Sequence, residues 1–166
     1  YETNFTISCD KDFKTTLIYE KKNGETIYVS SKTNSASAEG ETEERVSSFC
    51  FGQNGCNYEG SLWATLALST TGEDISEYLP YLIAMAEDNE KYFPSAFLYL
   101  LTDYDEYFTG IINEQKNNRW KISSSPYNEF YDTALALWAL YGTSAEQIDS
   151  SKSYLEEKQG ADGCWN

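Results

Sequence analysis

The hydrophobic pattern changes from strand-like alternation to helical spacing near Cys56. Before that point, residues 15–20 and 25–30 are rich in β-branched and aromatic side chains, and they flank the dipeptide Asn23-Gly24. Asn-Gly accepts the positive φ angles of a two-residue type I′ turn, so the pattern predicts a β-hairpin. The turn also fixes the register, which would pair Lys22 with Glu25, Ile18 with Val29, and Tyr19 with Tyr28.

Residues 1–51 as a whole predict a small antiparallel sheet. Residues 4–9 and 45–51 are weaker strand candidates that could extend the hairpin, whereas residues 31–44 are small, polar and aperiodic, which predicts a loop. Because an isolated two-stranded hairpin is marginally stable in water, we expect it to cap the helical part of the chain. Alternatively, the hairpin offers an edge to another subunit through Leu17, Tyr19, Ile27, Tyr28 and Val29.

Three pairs of helices are predicted beyond Cys56, at residues 58–87, 94–115 and 129–158. In each pair, a helix that is apolar on most of its circumference precedes an amphipathic helix, which is typical of an inner and an outer helix. Setting the pairs in register at Ser61, Ser95 and Asp132 gives starts 34 and 37 residues apart. This period lies within the range of helical-repeat architectures.

The last helix pair ends in a spaced motif, which consists of Tyr154, Leu155, Gln159, Gly163 and Trp165. This spacing resembles the QW motif of squalene and terpenoid cyclases. A partial copy occupies Gln115 and Trp120, where Asn118 takes the position of the glycine. The resemblance covers roughly residues 53–166. It implies that the glutamine caps backbone groups at a helix end and that the tryptophan packs on it.

Together these patterns predict a mainly α fold with a small N-terminal antiparallel β-sheet. The resemblance implies that the inner–outer helix pairs form an α/α-toroid-like arrangement, open or reduced, because closed toroids hold more than three pairs. The predicted domains are residues 1–51, for the sheet, and residues 52–166, for the helical repeats. Related toroids include prenyltransferase β-subunits, so the resemblance specifies a fold rather than an activity.

Composition narrows the range of partners. The 166 residues carry a formal net charge of −15 and include no histidine. Because like charge repels phosphate and anionic lipid, we expect the chain to bind neither nucleic acid nor a membrane surface. The sequence has no apolar run of about 20 residues, so no membrane span is predicted. Other protein subunits are the expected partners.

An extracytoplasmic location, secreted or at the cell surface, is expected from the cysteines and a sequon. Asn4 begins an N-glycosylation sequon, and the four cysteines form an even set without C-x-x-C spacing. The chain opens on Tyr1 rather than Met, which predicts a processed product or a fragment. Possible disulfides are Cys9–Cys50, as a staple of the sheet, Cys56–Cys164, as a tie across the helical array, and Cys50–Cys56.

Candidate catalytic and metal motifs are incomplete. Residues 103–106, with Asp105 as the acid, resemble the D-x-D-D acid of squalene-type cyclases but depart from it at the last position, so a helix N-cap is preferred. Asp162-Gly163-Cys164 resembles a prenyltransferase zinc pair, which needs a histidine as third ligand. The missing histidine also excludes Ser-His-Asp and Cys-His nucleophiles. We therefore expect no catalytic site, metal or cofactor, and acidic clusters such as residues 87–90 indicate solvated helix ends.

Three functional hypotheses follow. The preferred one is a non-enzymatic extracytoplasmic surface or assembly module, an acidic and disulfide-bonded glycoprotein that contacts other subunits through the hairpin or the helical ends. The second is a small-molecule or glycan carrier that uses an aromatic concave face. The third is a fragment of a terpenoid-cyclase-like enzyme, which requires Asp105 to be buried and protonated.

Overall fold

The computed structural model describes residues 2–20 and 26–165, and the chain forms two compact units. The N-terminal unit is Tyr1–Met85 and the C-terminal unit is Ala86–Asn166. The N-terminal unit contains strands and helices: β1 (Glu2–Ser8), β2 (Phe13–Glu20), β3 (Ile27–Ala36), β4 (Glu41–Ser47), α1 (Tyr58–Thr70) and α2 (Leu79–Ala84). The first predicted helix pair therefore belongs to the same unit as the strands.

The strands pair into two antiparallel sheets, each two-stranded within the described residues. β1 pairs with β4, and β2 pairs with β3. The predicted hairpin register is confirmed where the structure describes it, since Ile18 lies opposite Val29 and Tyr19 opposite Tyr28. Outside the described residues lie the predicted turn, Asn23-Gly24, and the predicted pairing of Lys22 with Glu25.

The prediction of a loop at residues 31–44 is wrong, because most of this segment belongs to strands. β3 continues to Ala36 and β4 begins at Glu41, with a turn between them. β4 alternates between exposed and buried positions, as strands do, but its buried side chains include Thr42 and Glu44, which are polar. Because strand prediction relies on apolar alternation, a strand with polar buried positions is mistaken for a loop.

Polar side chains also connect the two sheets. The hydroxyl oxygens of Thr15 in β2 and Thr42 in β4 are 3.1 Å apart. Asn34 in β3 donates a hydrogen bond to Glu44 Oε1 at 3.0 Å and another to the carbonyl oxygen of Glu43 at 3.2 Å. The N-terminal unit thus places polar contacts where packed sheets usually place interdigitated apolar side chains.

Helix α1 is anchored through its first turn. The side chain of Asn57 accepts a hydrogen bond from Gly60 N at 2.7 Å, which caps the helix. Ser61 is buried, and its Oγ accepts a hydrogen bond from Phe51 N at 2.8 Å. The ring of Phe51 stacks on Tyr78, with centroids 4.8 Å apart. The segment before α1 is therefore attached both to the helix and to the residue preceding α2.

The C-terminal unit is helical within the described residues. It contains a 3-10 helix (Glu87–Tyr92), α3 (Pro94–Thr102), α4 (Asp105–Glu114), α5 (Glu129–Ala139) and α6 (Glu146–Lys158). Helix α3 packs against α4 and α5, and α5 packs against α6. The large side chains buried most completely in this unit are Phe97, Leu98, Ile111, Trp120 and Leu140.

The predicted fold class is wrong. Among residues 2–20 and 26–165, the structure has four strands in two sheets and seven helices, counting the 3-10 helix, so the chain is mixed α/β. It is not a mainly α fold with one N-terminal sheet. The helices α1, α3 and α5 begin close to the predicted positions, so the error comes from the polar strands. The predicted toroid-like array of three helix pairs is wrong as well, because α1 and α2 share a unit with the strands.

Candidate functional site

The first Gln–Trp loop, residues 115–120, follows the end of α4. Its tryptophan folds back onto the helix, and Trp120 Nε1 donates a hydrogen bond to the carbonyl oxygen of Ile111 at 2.7 Å. The side-chain amide of Gln115 reaches α6, where it donates to Ser151 Oγ at 2.8 Å and to Gln147 O at 3.1 Å. The loop thus connects the end of one helix to the side of another.

The second Gln–Trp loop, residues 159–165, repeats this geometry after α6. Gln159 has φ and ψ of −66° and 127°, against −66° and 128° for Gln115. Trp165 Nε1 donates a hydrogen bond to the carbonyl oxygen of Leu155 at 2.7 Å. Leu155 precedes Gln159 by the same four residues that separate Ile111 from Gln115. The two loops therefore share the backbone conformation of the glutamine and the hydrogen bond that anchors the indole.

The glutamine of the second loop closes its own loop. Gln159 Nε2 donates a hydrogen bond to the carbonyl oxygen of Gly163 at 2.9 Å. Gly163 has a φ of 81°, a conformation that glycine adopts without steric cost, so the turn depends on this residue. Tyr154, the aromatic residue of the motif, lies in α6, and its hydroxyl donates to Glu129 Oε1 at 2.5 Å. The motif therefore shapes a helix end and also contacts α5.

The two tryptophans differ in how much of each side chain is exposed. Trp120 is completely buried, whereas 41% of Trp165 is exposed. Helix α5 holds the backbone of the first loop, because Thr133 Oγ1 accepts a hydrogen bond from Trp120 N at 3.1 Å and donates one to Trp120 O at 3.2 Å. In the described part of the chain, the hydrogen bonds of Trp165 come from its indole alone.

A buried carboxylate, Asp132, completes the attachment of α5. It is 1% exposed, its Oδ2 accepts from Ile122 N at 3.0 Å, and its Oδ1 accepts from Ser125 Oγ at 3.1 Å. Burial raises the pKa of Asp132 above its ordinary value, and the two hydrogen bonds offset part of this shift. Sequence reasoning used Asp132 only to mark a helix start. The signal that could have found its role is a charged residue in an apolar helix.

Glu129, in the first turn of α5, is the centre of a charged cluster. Its carboxylate oxygens lie 3.3 Å from Arg119 Nε and 3.5 Å from Lys121 Nζ. The hydrogen bond from Tyr154 is the main cause that lowers the pKa of Glu129, and the two cations lower it further. Burial raises the pKa of Tyr154, and the nearby carboxylate adds to the shift. An ionised Glu129 therefore links α5 to α6 and to the end of the first loop.

The predicted interaction hairpin has two chemically different faces. Tyr19 and Tyr28 stack on the inward face with ring centroids 5.2 Å apart, and Tyr28 is buried. The opposite face, here called the aliphatic face, consists of Ile18, Ile27 and Val29, which are 59–65% exposed. Ile18 and Val29 are directly opposite each other, and Ile27 lies two residues from Val29, so the three side chains share one surface.

Leu17, the remaining residue of the predicted hairpin site, lines a cleft of about 340 Å³ in the N-terminal unit. Glu44 lines the same cleft and is 3% exposed, and its Oε1 accepts hydrogen bonds from Thr15 and Asn34. No sequence pattern singled out Glu44, since it lies in a strand without apolar alternation. The lining is polar and charged rather than aromatic, so this cleft does not match the concave face of the carrier hypothesis.

The structure joins Cys50 to Cys56, whose Cα atoms are 5.4 Å apart. It thereby forms the third of the pairings considered from the sequence, and it does not form Cys9–Cys50 or Cys56–Cys164. Within the described residues, Cys9 and Cys164 are exposed thiols. Asn4, the glycosylation candidate, is exposed on β1.

The remaining candidate chemistry finds no support in the geometry. Asp105 is exposed in the first turn of α4, so it lacks the burial that a protonated cyclase acid requires. Asp162 Oδ1 accepts a hydrogen bond from Cys164 N at 3.1 Å, which shapes the second loop. Among the described residues, no group of three or more His, Cys, Asp or Glu side chains is placed to hold a metal ion. No described helix is long and apolar enough to cross a membrane.

Two exposed surfaces therefore stand out, the aliphatic face in the N-terminal unit and the second Gln–Trp loop in the C-terminal unit. Comparison of the chain with protein-family models, curated proteins and solved structures finds no match.

Proposed function

We propose that this protein is a non-enzymatic assembly module that self-associates through the aliphatic face of β2 and β3. The observation that carries the proposal is the exposure of Ile18, Ile27 and Val29, each at least 59% accessible on one surface. Clustered aliphatic side chains on a soluble protein indicate an interaction site, whereas singly scattered ones need no explanation.

A second copy of the same face is the partner that this surface fits best. In an isologous dimer, one patch contacts its own copy across a two-fold axis, and an aliphatic patch is complementary to itself. Glu20, which lies opposite Ile27, borders the face. The net charge of −15 makes two copies repel each other at long range, so association has to come from apolar contact rather than from electrostatic attraction.

The size of the aliphatic face limits the affinity. A stable interface buries about 1,200–2,000 Å² in total, more than three aliphatic side chains on each copy cover. Burial of each such side chain contributes on the order of 1 kcal/mol. We therefore expect weak, concentration-dependent association, which becomes strong only where several copies or contacts act together.

We place this module outside the cytoplasm. The Cys50–Cys56 disulfide suits an oxidising compartment, and the sequon at Asn4 is exposed, as glycosylation requires. Mass measurement of the protein from its source, before and after removal of N-linked glycan, tests this location. An unmodified Asn4 together with reduced Cys50 and Cys56 would contradict it.

Sedimentation equilibrium over a range of protein concentrations tests the self-association. The average mass should rise with concentration, and more so at about 500 mM than at about 50 mM salt, because screening weakens the repulsion between copies. The double variant Ile18→Thr, Val29→Thr should remain monomeric. The same Ile→Thr change at Ile7, which is exposed on β1, is the matched control. A wild-type protein that stays monomeric at both salt concentrations overturns the proposal.

A further inference from the structure

We propose that the polar cleft in the N-terminal unit binds a small, free primary alkylammonium ion, which the carboxylate of Glu44 holds. The cleft has a volume of about 340 Å³ and is lined by residues of β2, β3 and β4 and of the segment before α2. Leu17 lines it from the side of β2 opposite Ile18, because β2 alternates between half-buried and exposed positions. The proposal therefore does not rest on self-association through the aliphatic face.

Glu44 is a buried carboxylate that uses only part of its capacity to accept hydrogen bonds. It is 3% exposed, and both of the hydrogen bonds that it accepts, from Thr15 and Asn34, go to Oε1. Within residues 2–20 and 26–165, its Oε2 accepts no hydrogen bond and its carboxylate forms no ion pair. A glutamate is seldom buried unless a cation is paired with it. Because Glu44 lines the cleft, its open oxygen indicates a cationic donor that binds there.

The two cationic side chains that line the cleft interact with other carboxylates. Arg45 Nε lies 2.8 Å from Glu2 Oε1. Hydrogen bonds from Ser76 lower the pKa of Asp74, and the positive charge of Lys32 lowers it further. Neither cation is paired with the buried carboxylate, so the cleft contains negative charge that the described residues leave unbalanced.

The rest of the lining defines the class of cation. Glu43 and Glu77 add negative charge, which raises the local concentration of cations. A primary ammonium group has three N–H donors, and the hydroxyls of Ser30 and Thr33 are acceptors for those that the carboxylate leaves over. Leu17 supplies an aliphatic surface for a short alkyl chain. The lining thus combines the groups that an alkylammonium ion requires.

The cleft coincides with an irregularity in the pairing of β2 with β3. On one side of it, Thr16 is paired with Thr33. On the other side, Ile18 is paired with Val29, so one residue of β2 lies opposite three residues of β3. Thr16 Oγ1 donates a hydrogen bond to the carbonyl oxygen of Lys32 at 2.9 Å, which satisfies a backbone group inside the irregularity. Such bulges redirect side chains and are common next to binding sites.

A primary ammonium ion fits this cleft better than a metal ion does. Calcium and magnesium require several oxygen ligands around one point. In the part of the chain that the structure describes, no three His, Cys, Asp or Glu side chains are placed to hold a metal ion. A volume of about 340 Å³ lies near the lower limit for small-molecule sites, which suits a short organic ion.

Titration of the protein with n-butylammonium chloride, followed by amide NMR, tests the site. At about 20 mM salt, where screening is weak, the amide resonances of residues 15–17 and 32–34 should shift saturably. Half-saturation should lie below about 10 mM, as expected for a weak specific site. Tetramethylammonium has the same charge without an N–H donor, and 1-butanol has the alkyl chain without the charge. Neither of these control ligands should shift the resonances.

Variants test the role of the buried carboxylate. Glu44→Gln keeps the side-chain shape and an oxygen acceptor for Thr15 and Asn34, but it removes the charge. It should weaken the binding of n-butylammonium about tenfold, because a charge-assisted hydrogen bond is lost. Glu41→Gln removes the same charge at an exposed position of β4 outside the cleft lining, and it should leave the affinity unchanged. Glu77→Gln should weaken binding by a smaller factor, and it tests the cleft independently of the buried position.

The proposal is overturned if tetramethylammonium shifts the same resonances as n-butylammonium does, or if Glu44→Gln and Glu77→Gln bind as tightly as the wild type. Displacement of n-butylammonium by an equal concentration of calcium chloride would make the cleft a metal site. Nα-acetyl-lysine methylamide should bind no more tightly than n-butylammonium, and tighter binding would make the ligand a protein side chain and reject a free amine. The double variant Ile18→Thr, Val29→Thr should bind n-butylammonium normally, so the two proposals succeed or fail separately.

Discussion

Each of the two units of this chain contains a buried carboxylate, and the two carboxylates form different kinds of contact. In the N-terminal unit, Glu44 lies between the two sheets and accepts hydrogen bonds from the neutral side chains of Thr15 and Asn34. In the C-terminal unit, Asp132 accepts hydrogen bonds from the segment that follows Trp120, beside a core of large apolar side chains. Glu44 takes part in the packing between sheets, whereas Asp132 attaches a loop to an apolar core.

This difference indicates where each unit derives its stability. A core built around an indole should depend on buried area and on filled volume. The stability of a polar contact between the sheets should depend on whether every buried donor has an acceptor. An unsatisfied buried group costs more free energy than a satisfied one contributes. The two units should therefore respond to different substitutions.

Trp120→Ala should have the largest effect. Removal of a completely buried tryptophan leaves a cavity and should lower the free energy of unfolding of the C-terminal unit by about 4 kcal/mol. Trp165→Ala is the matched control, because the same indole hydrogen bond is lost from a residue that is 41% exposed. Amide hydrogen exchange in the C-terminal unit measures the loss of stability in both variants. Equal losses for the two variants would show that the loops do not differ in burial.

Glu44→Ala should have the next largest effect, and it should act on the N-terminal unit. The substitution removes the buried acceptor that the Thr15 hydroxyl and the Asn34 amide share, which should cost about 2 kcal/mol. Glu41→Ala, at an exposed position of the same strand, is the control and should change little. Protection of the amide hydrogens of β2 to β4 measures the loss. Unchanged protection would mean that the polar contact does not stabilise the sheets.

The contrast also explains how far the sequence predicts the fold. Helical spacing placed the starts of α1, α3 and α5, because apolar side chains carry that period in these helices. The Asn-Gly dipeptide predicted the register of Ile18 with Val29 through local turn chemistry. Pairing of β1 with β4 joins residues far apart in the chain, and its buried positions include Thr42 and Glu44. Neither local turn chemistry nor apolar periodicity predicts the pairing of β1 with β4.

The candidate functional residues show the same difference between local patterns, which a sequence reveals, and long-range contacts, which it does not. Gln159 and Trp165 could be found because they form a spaced motif within one helix end. The bonding partners of Asp132 and Thr133 could not be found, since they depend on which loop packs against α5, although a charged residue in an apolar helix marks Asp132 as unusual. The disulfide shows the same limit, because Cys56 had more than one possible partner and only the folded backbone brings Cys50 next to it.

The smallest expected effects concern pH and compare two carboxylates of α5. The pKa of Asp132 is raised above its ordinary value of 3.8, mainly by burial. A group with a raised pKa binds its proton more tightly when the protein is folded, so its contribution to stability is present at low pH and is lost as pH rises through the folded pKa. Relative to Asp132→Asn, the wild-type protein should therefore gain stability as pH falls from neutral toward that ordinary value.

Glu129 should respond with the opposite sign. Its pKa is lowered from 4.5, chiefly by the hydrogen bond from Tyr154, so its contribution is present above that value and is lost as pH falls through the folded pKa. Glu129→Gln should cost less than about 1 kcal/mol at neutral pH, because the ion pairs are partly solvated, and the difference from wild type should vanish in acid. Glu146→Gln, in the exposed first turn of α6, is the control. Thermal unfolding from acid to neutral pH measures how the stability difference between the wild-type protein and each variant changes with pH. Slopes of the same sign for Asp132→Asn and Glu129→Gln would show that burial and ion pairing do not act separately on these two carboxylates.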